Sequence, residues 1–315
     1  MNLQTKIPLP SQETKICYKS EVVMLGSCFA ENIGARFEYF KFRNLVNPFG
    51  ILFHPKAIET FLWMALQDER YTDADLFFHN EQWHCFDAHS SLSSPHKDAL
   101  LERLNSALVA SKEKINSATH IGITLGTAWV YRLLALDMIV ANCHKIPQRE
   151  FTKELLAIDE VMQCVQNCIH LVRNQNPSAQ LIFTVSPVRH IKDGFVENNQ
   201  SKSHLIAAIH QAIQKDENSF YFPSYEIMMD ELRDYRFYNE DMIHPSDTAV
   251  QYIWERFCQS WVAQESIATM KKVAEIQKGI AHRPFNPESK QHVSFLKALE
   301  LKKSHIQKEF PFISF

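Results

Sequence analysis

The chain of 315 residues is long enough to bury a full core, and its hydrophobic fraction of 45% and charged fraction of 22% are typical of a globular protein. Its 33 basic and 36 acidic side chains nearly balance, which argues against nucleic acid or an anionic membrane as a partner. No apolar run is long enough for a membrane span, and residues 1–20 are too polar for a secretory signal peptide.

Cysteine usage indicates a reduced chain. The seven cysteines form an odd set, and none has the paired CxxC spacing of a zinc site. We therefore expect a cytoplasmic protein without a bound metal.

The first predicted strand ends at a Gly-Ser-Cys corner. Residues 22–25 form an apolar run that is typical of a buried strand. Phe29, Ile33 and Phe37 follow at the spacing of one helix face. Ligand crevices of open α/β sheets lie at the C-terminal ends of parallel strands, so Ser27 would stand at such a crevice. On this stretch alone, a helix cap is the more common role for a serine.

The rest of the chain alternates between predicted strands and helices. Helices are predicted over about 54–68, from Ser94-Pro95 to about 116, from a Thr152 cap to about 174, over 201–215 and 246–263, and as two helices within 265–304. Strands are predicted over 43–46, 120–126, 129–133, 137–140, 179–185 and 220–227, with a hairpin turning at Asn80-Glu81. Such alternation predicts a parallel sheet with helices on both faces. We divide the chain into an α/β domain, residues 1–263, and a helical extension packed on it, residues 264–315.

A second motif precedes the helix that begins after Pro245. Asp241 and His244 are three residues apart, so the carboxylate can lie beside the imidazole and fix its tautomer. The other ring nitrogen is then free to act as a base. A serine becomes a strong nucleophile when such a base removes its proton. Ser27 and the Asp241–His244 pair together favour catalysis over a helix cap and an unrelated surface pair.

These two motifs resemble those of a known family. Gly-Ser-Cys-Phe-Ala at 26–30 is similar to the GSCFA family, a largely uncharacterised bacterial group whose architecture is that of the SGNH (GDSL-type) hydrolases. The similarity extends through 124–129 and 186–190 to Asp241 and His244. It implies a flavodoxin-like parallel sheet between helices and a serine hydrolase of acyl esters. It also implies an O-acetylated carbohydrate or similar small ester as substrate, and no cofactor.

Carried over by position, the resemblance makes Ser27 the nucleophile, His244 the base and Asp241 its orienting partner. It implies an oxyanion hole built from the N–H groups of Ser27 and Gly50. The third donor of the SGNH pattern is an asparagine, and Gly-Thr-Ala-Trp at 126–129 has none. Thr127, or Asn47 from the neighbouring loop, could replace it.

Four further residues are candidates for the substrate side of the crevice. Arg189 and His190 follow a predicted strand and could hold a substrate oxygen or carboxylate, although a structural ion pair is equally compatible with Arg189. His89 is a candidate polar contact, and Trp129 a candidate sugar platform with core packing as its alternative. A metal at His84, Asp87 and His89 is not expected, because residues of a hairpin alternate between its faces. Cys28 is expected to pack rather than react.

Two other functions fit the same residues. An acyltransferase would use the same nucleophile with a sugar hydroxyl as acceptor. A non-catalytic binding protein would keep the crevice without turnover, in line with the missing asparagine. The sequence does not select the acyl group or the oligomeric state.

Overall fold

The central sheet has five parallel strands. The computed structural model describes residues 4–315. Its strands are β1 Glu21–Gly26, β2 Arg43–Val46, β3 Leu76–His79, β4 Gln82–Cys85, β5 His120–Leu125, β6 Trp129–Leu133, β7 Met138–Val140, β8 Phe151–Leu155, β9 Gln180–Val185 and β10 Ser219–Tyr221. The central sheet has the order β10-β9-β5-β1-β2, with every neighbouring pair parallel. Numbered among themselves, these strands run 2-1-3-4-5, the flavodoxin-like order, which confirms the predicted fold class.

Helices cover both faces of this sheet. They are α1 Cys28–Tyr39, α2 Pro55–Leu66, α3 Lys97–Ser117, α4 Ile158–Gln175, α5 Phe195–Ile213, α6 Ser224–Glu226, α7 Asp247–Trp261, α8 Gln264–Ala281 and α9 Lys290–Glu309, with a π-helical turn, Ile227–Glu231, after α6. Every residue of β5 and β9 is buried, as a parallel sheet covered on both faces requires.

Alternation along β1 divides the core into two layers. Val23 and Leu25 point into a cluster formed with α2, α3, α4 and α5. Val22 and Met24 point to the opposite face, into a cluster formed with α1, α7, α8 and α9. Val273 and Ile306 of the two C-terminal helices are buried in that second cluster. Among the described residues, no helix is both long and apolar enough to cross a membrane.

Two small antiparallel sheets lie outside the central one. The hairpin β3–β4 turns at Asn80-Glu81, where the sequence predicts it. The other sheet has the order β7-β6-β8, and its third strand contains Thr152, which the sequence placed at a helix cap. Residues 151–155 pair instead with β6, and α4 begins only at Ile158. Pairing with a distant strand overrides the local helix signal here.

Two helix starts also differ from the prediction. Helix α3 is capped at His96 rather than at Ser94, because the backbone of Ser94 exchanges hydrogen bonds of 2.7 and 3.2 Å with Trp83. Helix α5 begins at Phe195, six residues before the predicted start at 201. The longer helix brings Asn198 and Lys202 to the carboxyl edge of the sheet.

The topology fixes where a ligand crevice can form. The chain leaves β1 toward β2 on one side and later returns to β5 on the other, so strand order reverses between β1 and β5. Crevices of open α/β sheets lie at this switch point, outside the carboxyl ends of the strands. Ser27 follows β1, and Gly126 follows β5.

Candidate active site

The turn after β1 holds Ser27 in a fixed position. Gly26 has φ +125°, and a Cβ there would lie 2.1 Å from the Thr124 carbonyl oxygen, so only glycine fits. Ser27 caps α1: its hydroxyl accepts a hydrogen bond from the Phe29 N–H at 3.3 Å. Its own N–H donates to the Thr124 oxygen at 3.0 Å, and the residue is 2% exposed. The hydroxyl proton has no acceptor among residues 4–315, so it remains available to a base.

Cys28 is the first residue of α1 and is less buried than Ser27. Burial raises the pKa of its thiol, and the charge of Glu31 raises it further, while the charge of Lys202 opposes them. The thiol is therefore protonated at neutral pH. This agrees with a packing role, although the residue stands beside Ser27 at the same helix N-terminus.

His244 and Asp241 form a hydrogen-bonded pair before α7. The Nδ1 atom of His244 lies 2.6 Å from Oδ2 of Asp241. The other carboxylate oxygen accepts from the N–H groups of His244 at 3.0 Å and Ile243 at 2.8 Å. These bonds, that of the His244 N–H foremost, lower the pKa of Asp241 to about 2. The carboxylate is thus ionised at neutral pH and fixes a proton on Nδ1, which leaves Nε2 as the basic nitrogen.

The imidazole is open to solvent. The His244 side chain is 46% exposed, and among the described residues Nε2 has no hydrogen-bond partner. No hydrogen bond joins it to the Ser27 hydroxyl within the described chain. In unliganded enzymes the contact between base and nucleophile is often long and tightens only when substrate binds.

The loop at 47–50 lies against the Ser27 turn. Asn47 accepts a hydrogen bond from the Gly26 N–H at 2.8 Å, and the Leu52 N–H donates to the Gly26 oxygen at 3.0 Å. The Gly50 N–H donates to the Asn47 carbonyl oxygen at 2.8 Å. Both N–H groups expected in the oxyanion hole, those of Ser27 and Gly50, therefore donate to backbone carbonyls in this conformation. The N–H of Cys28 stands next to that of Ser27, at the first position of α1.

The residues after β5 approach the site closely. A Cβ at Gly126 would lie 3.0 Å from Cβ of Phe53 and 3.1 Å from Nε2 of His190, so the absence of a side chain lets these residues close on the sheet edge. Thr127 is 3% exposed, and its hydroxyl lies 2.9 Å from that of Ser201. The hydroxyl also accepts from the Trp129 N–H at 3.0 Å, and the Thr127 N–H donates to the Phe53 oxygen at 3.2 Å, so none of these bonds reaches the turn at Ser27.

His190 lies between the His244 turn and the interior. Burial lowers the pKa of its imidazole to about 3, with contributions from Lys202 and His244. Its Nε2 atom is buried and has no hydrogen-bond partner within residues 4–315. The ring is therefore neutral and keeps one polar atom for a ligand or water at this edge of the sheet.

Lys202 is the residue of this region that the sequence interpretation missed. It is 1% exposed, and its Nζ donates at 2.7 Å to the carbonyl oxygens of both Gly126 and Ser186, where β5 and β9 end. Burial lowers its pKa to about 7. A signal was present: Lys202 stands three residues before Leu205 and seven before Ile209, on the apolar face of a predicted helix.

The remaining predicted residues occupy three different places. Arg189 donates its backbone N–H to the Ile243 oxygen at 3.1 Å and Nη1 to the Met242 oxygen at 3.2 Å, so it adjoins the His244 turn. His89 caps a 3₁₀ turn, and its N–H donates to the Phe49 carbonyl oxygen at 2.9 Å, so it adjoins the Gly50 loop. Trp129 donates Nε1–H to the Glu197 oxygen at 3.3 Å.

The histidines of the hairpin have other partners. His84 contacts the Ser93 hydroxyl at 2.7 Å and the His79 carbonyl oxygen at 2.9 Å. Asp87 accepts from the Tyr71 hydroxyl at 3.3 Å, and burial raises the pKa of its carboxyl. Over residues 4–315, no group of three or more His, Cys, Asp or Glu side chains is arranged to hold a metal ion.

Topology defines a flavodoxin-like α/β protein in which Ser27 follows β1, a buried lysine reaches the ends of β5 and β9, and a His–Asp pair precedes α7. The chain belongs to the GSCFA family: the family model matches residues 21–257, and the model of the GSCFA domain protein C-terminal domain matches residues 273–315. No curated protein matches the sequence.

Among solved structures, the chain is similar to an acetyl xylan esterase, Est2A, from the rumen bacterium Butyrivibrio proteoclasticus. The identity is 11% and the TM-score is 0.28, and the alignment covers 52% of this chain and 37% of the esterase. The chain thus matches little more than a third of that esterase's length.

Proposed function

We propose that this protein is a serine esterase of the SGNH type that cleaves acyl esters, O-acetyl groups on carbohydrate in the first place. The observation that carries the proposal is the Asp241–His244 contact of 2.6 Å, which leaves Nε2 unpartnered among the described residues. Ser27, which caps α1 at the topological switch point, also supports the proposal, because its hydroxyl proton has no acceptor among the described residues.

The reaction follows from these groups. His244 Nε2 takes the proton of Ser27 while the hydroxyl oxygen attacks the ester carbonyl. Asp241 stays ionised and stabilises the imidazolium that forms. His244 then protonates the departing alcohol, leaving an acyl group on Ser27. Water, activated by the same imidazole, releases the acid and restores the hydroxyl.

The oxyanion of the tetrahedral intermediate needs donors at this edge of the sheet. The Cys28 N–H stands at the N-terminus of α1, where the helix dipole favours negative charge. The N–H groups of Ser27 and Gly50 already donate to the carbonyl oxygens of Thr124 and Asn47, so in this conformation they do not reach the oxyanion. Loss of one such donor typically costs about 10²–10³ in rate.

Two other functions would use the same groups. An acyltransferase would pass the acyl group from Ser27 to a sugar hydroxyl instead of water. A binding protein would hold an ester without turnover. The exposed His244 pair favours catalysis over binding alone, because a base open to solvent can exchange its proton.

Turnover of 4-nitrophenyl acetate and of acetylated xylose tests the proposal. We expect Ser27→Ala and His244→Ala to abolish turnover, and Asp241→Asn to lower kcat on the order of 10³–10⁴ because the imidazole loses its fixed tautomer. Ser117→Ala, on an exposed helix end, is the matched control and should keep wild-type rates.

Product analysis with added acceptor sugars separates the three functions. Free acid as the main product supports the esterase, and an acylated acceptor supports the transferase. A folded wild type that turns over neither substrate, or undiminished turnover in Ser27→Ala, would contradict the proposal.

A further inference from the structure

A cavity of about 290 Å³ opens beside the His244 turn. The first turns of α5, the segment from α6 to Tyr238 and Arg189 enclose it. Arg189 connects it to the proposed base, because the arginine donates hydrogen bonds to the carbonyl oxygens of Met242 and Ile243, directly before His244. The cavity therefore adjoins the segment that carries the proposed base.

Aromatic rings surround the guanidinium of Arg189. Its Cζ lies 5.2 Å from the ring centroid of Phe195, 5.5 Å from that of Tyr238 and 6.0 Å from that of Tyr235. Phe195 is 61% exposed and Tyr235 is 65% exposed, although large aromatic side chains are usually buried. All three rings line the cavity, and cation–π contacts with them hold the guanidinium in place.

The charge of the cavity is positive and unmatched. Arg189 forms no ion pair with a described carboxylate, and of its five N–H donors only Nη1–H has an acceptor on the described chain. Arg233 is a second lining cation, without an ion pair among the described residues. The acidic lining residue, Asp234, pairs with Arg236 at 3.0 Å. The positive charges of Arg189 and Arg233 and the unpaired N–H donors of Arg189 are therefore suited to binding an anion.

We propose that this cavity binds a uronic acid residue of the substrate, with the planar guanidinium of Arg189 on its carboxylate and the aromatic rings against the sugar face. Guanidinium and carboxylate match in a bidentate geometry. A cavity of 290 Å³ lies at the lower limit of small-molecule sites, which suits one sugar ring. The inference rests on the proposed function, since it names the alcohol portion of the same ester.

Binding of sodium D-glucuronate and D-glucose, measured by titration calorimetry, tests the proposal. We expect wild type to bind glucuronate at least about tenfold more tightly than glucose, since hydrogen bonds to charged groups supply that difference. Arg189→Gln should reduce the ratio to near one, and Arg233→Gln should reduce it partly without touching the His244 turn. Tyr235→Ala should weaken both sugars by a similar factor.

A control variant and two control ligands test whether binding depends on the cavity and on the sugar ring. Arg149→Gln removes an arginine with 83% exposure outside the cavity and should keep the wild-type ratio. Acetate and inorganic phosphate should bind more weakly than glucuronate, since they lack the ring. Equal affinity for glucose and glucuronate, equal affinity for acetate or phosphate and glucuronate, or a ratio unchanged by Arg189→Gln would overturn the proposal. Because binding is measured without turnover, a missing esterase activity would leave this result standing on its own.

Discussion

Lys202 and Arg256 are both nearly inaccessible to solvent, yet their surroundings differ. Arg256 is 8% exposed, contacts the carboxylate of Glu231 at 3.2 Å and donates to the Gln259 side chain at 2.6 Å. Lys202 is 1% exposed and has two carbonyl oxygens as acceptors, without an ion pair among the described residues. The charge of Arg256 is balanced by a buried carboxylate, whereas Lys202 has no carboxylate partner among the described residues.

This difference indicates that Arg256 has a structural role and that Lys202 belongs to the candidate active site. Arg256 joins α7 to the N-terminal segment through the Ile7 carbonyl oxygen and to the π-helical turn through Glu231, so its charge serves packing. Lys202 lies at the carboxyl edge, where its charge acts on His190 and Cys28. An unmatched buried cation with a lowered pKa marks functional sites more often than structural ones.

The largest expected effect on stability comes from breaking the ion pair between Arg256 and Glu231. Arg256→Met leaves the Glu231 carboxylate buried without a cation, which should lower the free energy of unfolding by about 3–5 kcal/mol. Lys202→Met removes no counter-ion and leaves two carbonyl oxygens without a donor, at a cost of about 1–3 kcal/mol. Urea denaturation of both variants at pH 7 measures the difference. A larger loss in Lys202→Met than in Arg256→Met would reverse the assignment.

A smaller effect should appear as a pH dependence. The pKa of folded Lys202 is about 7, below its ordinary value of 10.5. Between these values the unfolded chain binds a proton that the folded chain has released, so stability rises with pH. The limit is about 1.4 kcal/mol per pH unit, and the gain is lost as pH falls through 7.

The difference in unfolding free energy between wild type and Lys202→Met isolates this titration. Measured by urea denaturation from pH 7.5 to 9, the difference should increase in favour of wild type. A neutral amine has two N–H donors for the two carbonyl acceptors, which agrees with that direction. A difference that stays constant with pH would show that Lys202 is charged in the fold.

Local patterns in the sequence were sufficient to predict the turn between β1 and α1. The apolar run of β1 and the helical spacing of Phe29, Ile33 and Phe37 predict a strand followed by a helix, and all three residues are buried on the inner face of α1. The alternation of strands and helices likewise predicts the parallel sheet. These features depend on neighbours within a few positions.

Contacts between distant segments could not be predicted. Thr152 reads as a helix cap, but β8 forms because β6 offers a partner twenty residues earlier in the chain. Lys202 reads as one lysine on an apolar face, and only the fold shows that it reaches the ends of β5 and β9. The cavity at Arg189 likewise depends on α6, which falls within the predicted strand 220–227 although β10 ends at Tyr221, and on the segment to Tyr238, which the sequence left unassigned.

The most direct test of the catalytic proposal is the position of a covalent fluorophosphonate adduct. Wild type should gain one adduct on the tryptic peptide of residues 20–36, and fragment ions should place it on Ser27 rather than Cys28. Ser27→Ala and His244→Ala should lose the label while staying folded, and Cys28→Ala should retain it. A label that persists in Ser27→Ala, or a folded wild type that does not react, would contradict Ser27 as the nucleophile.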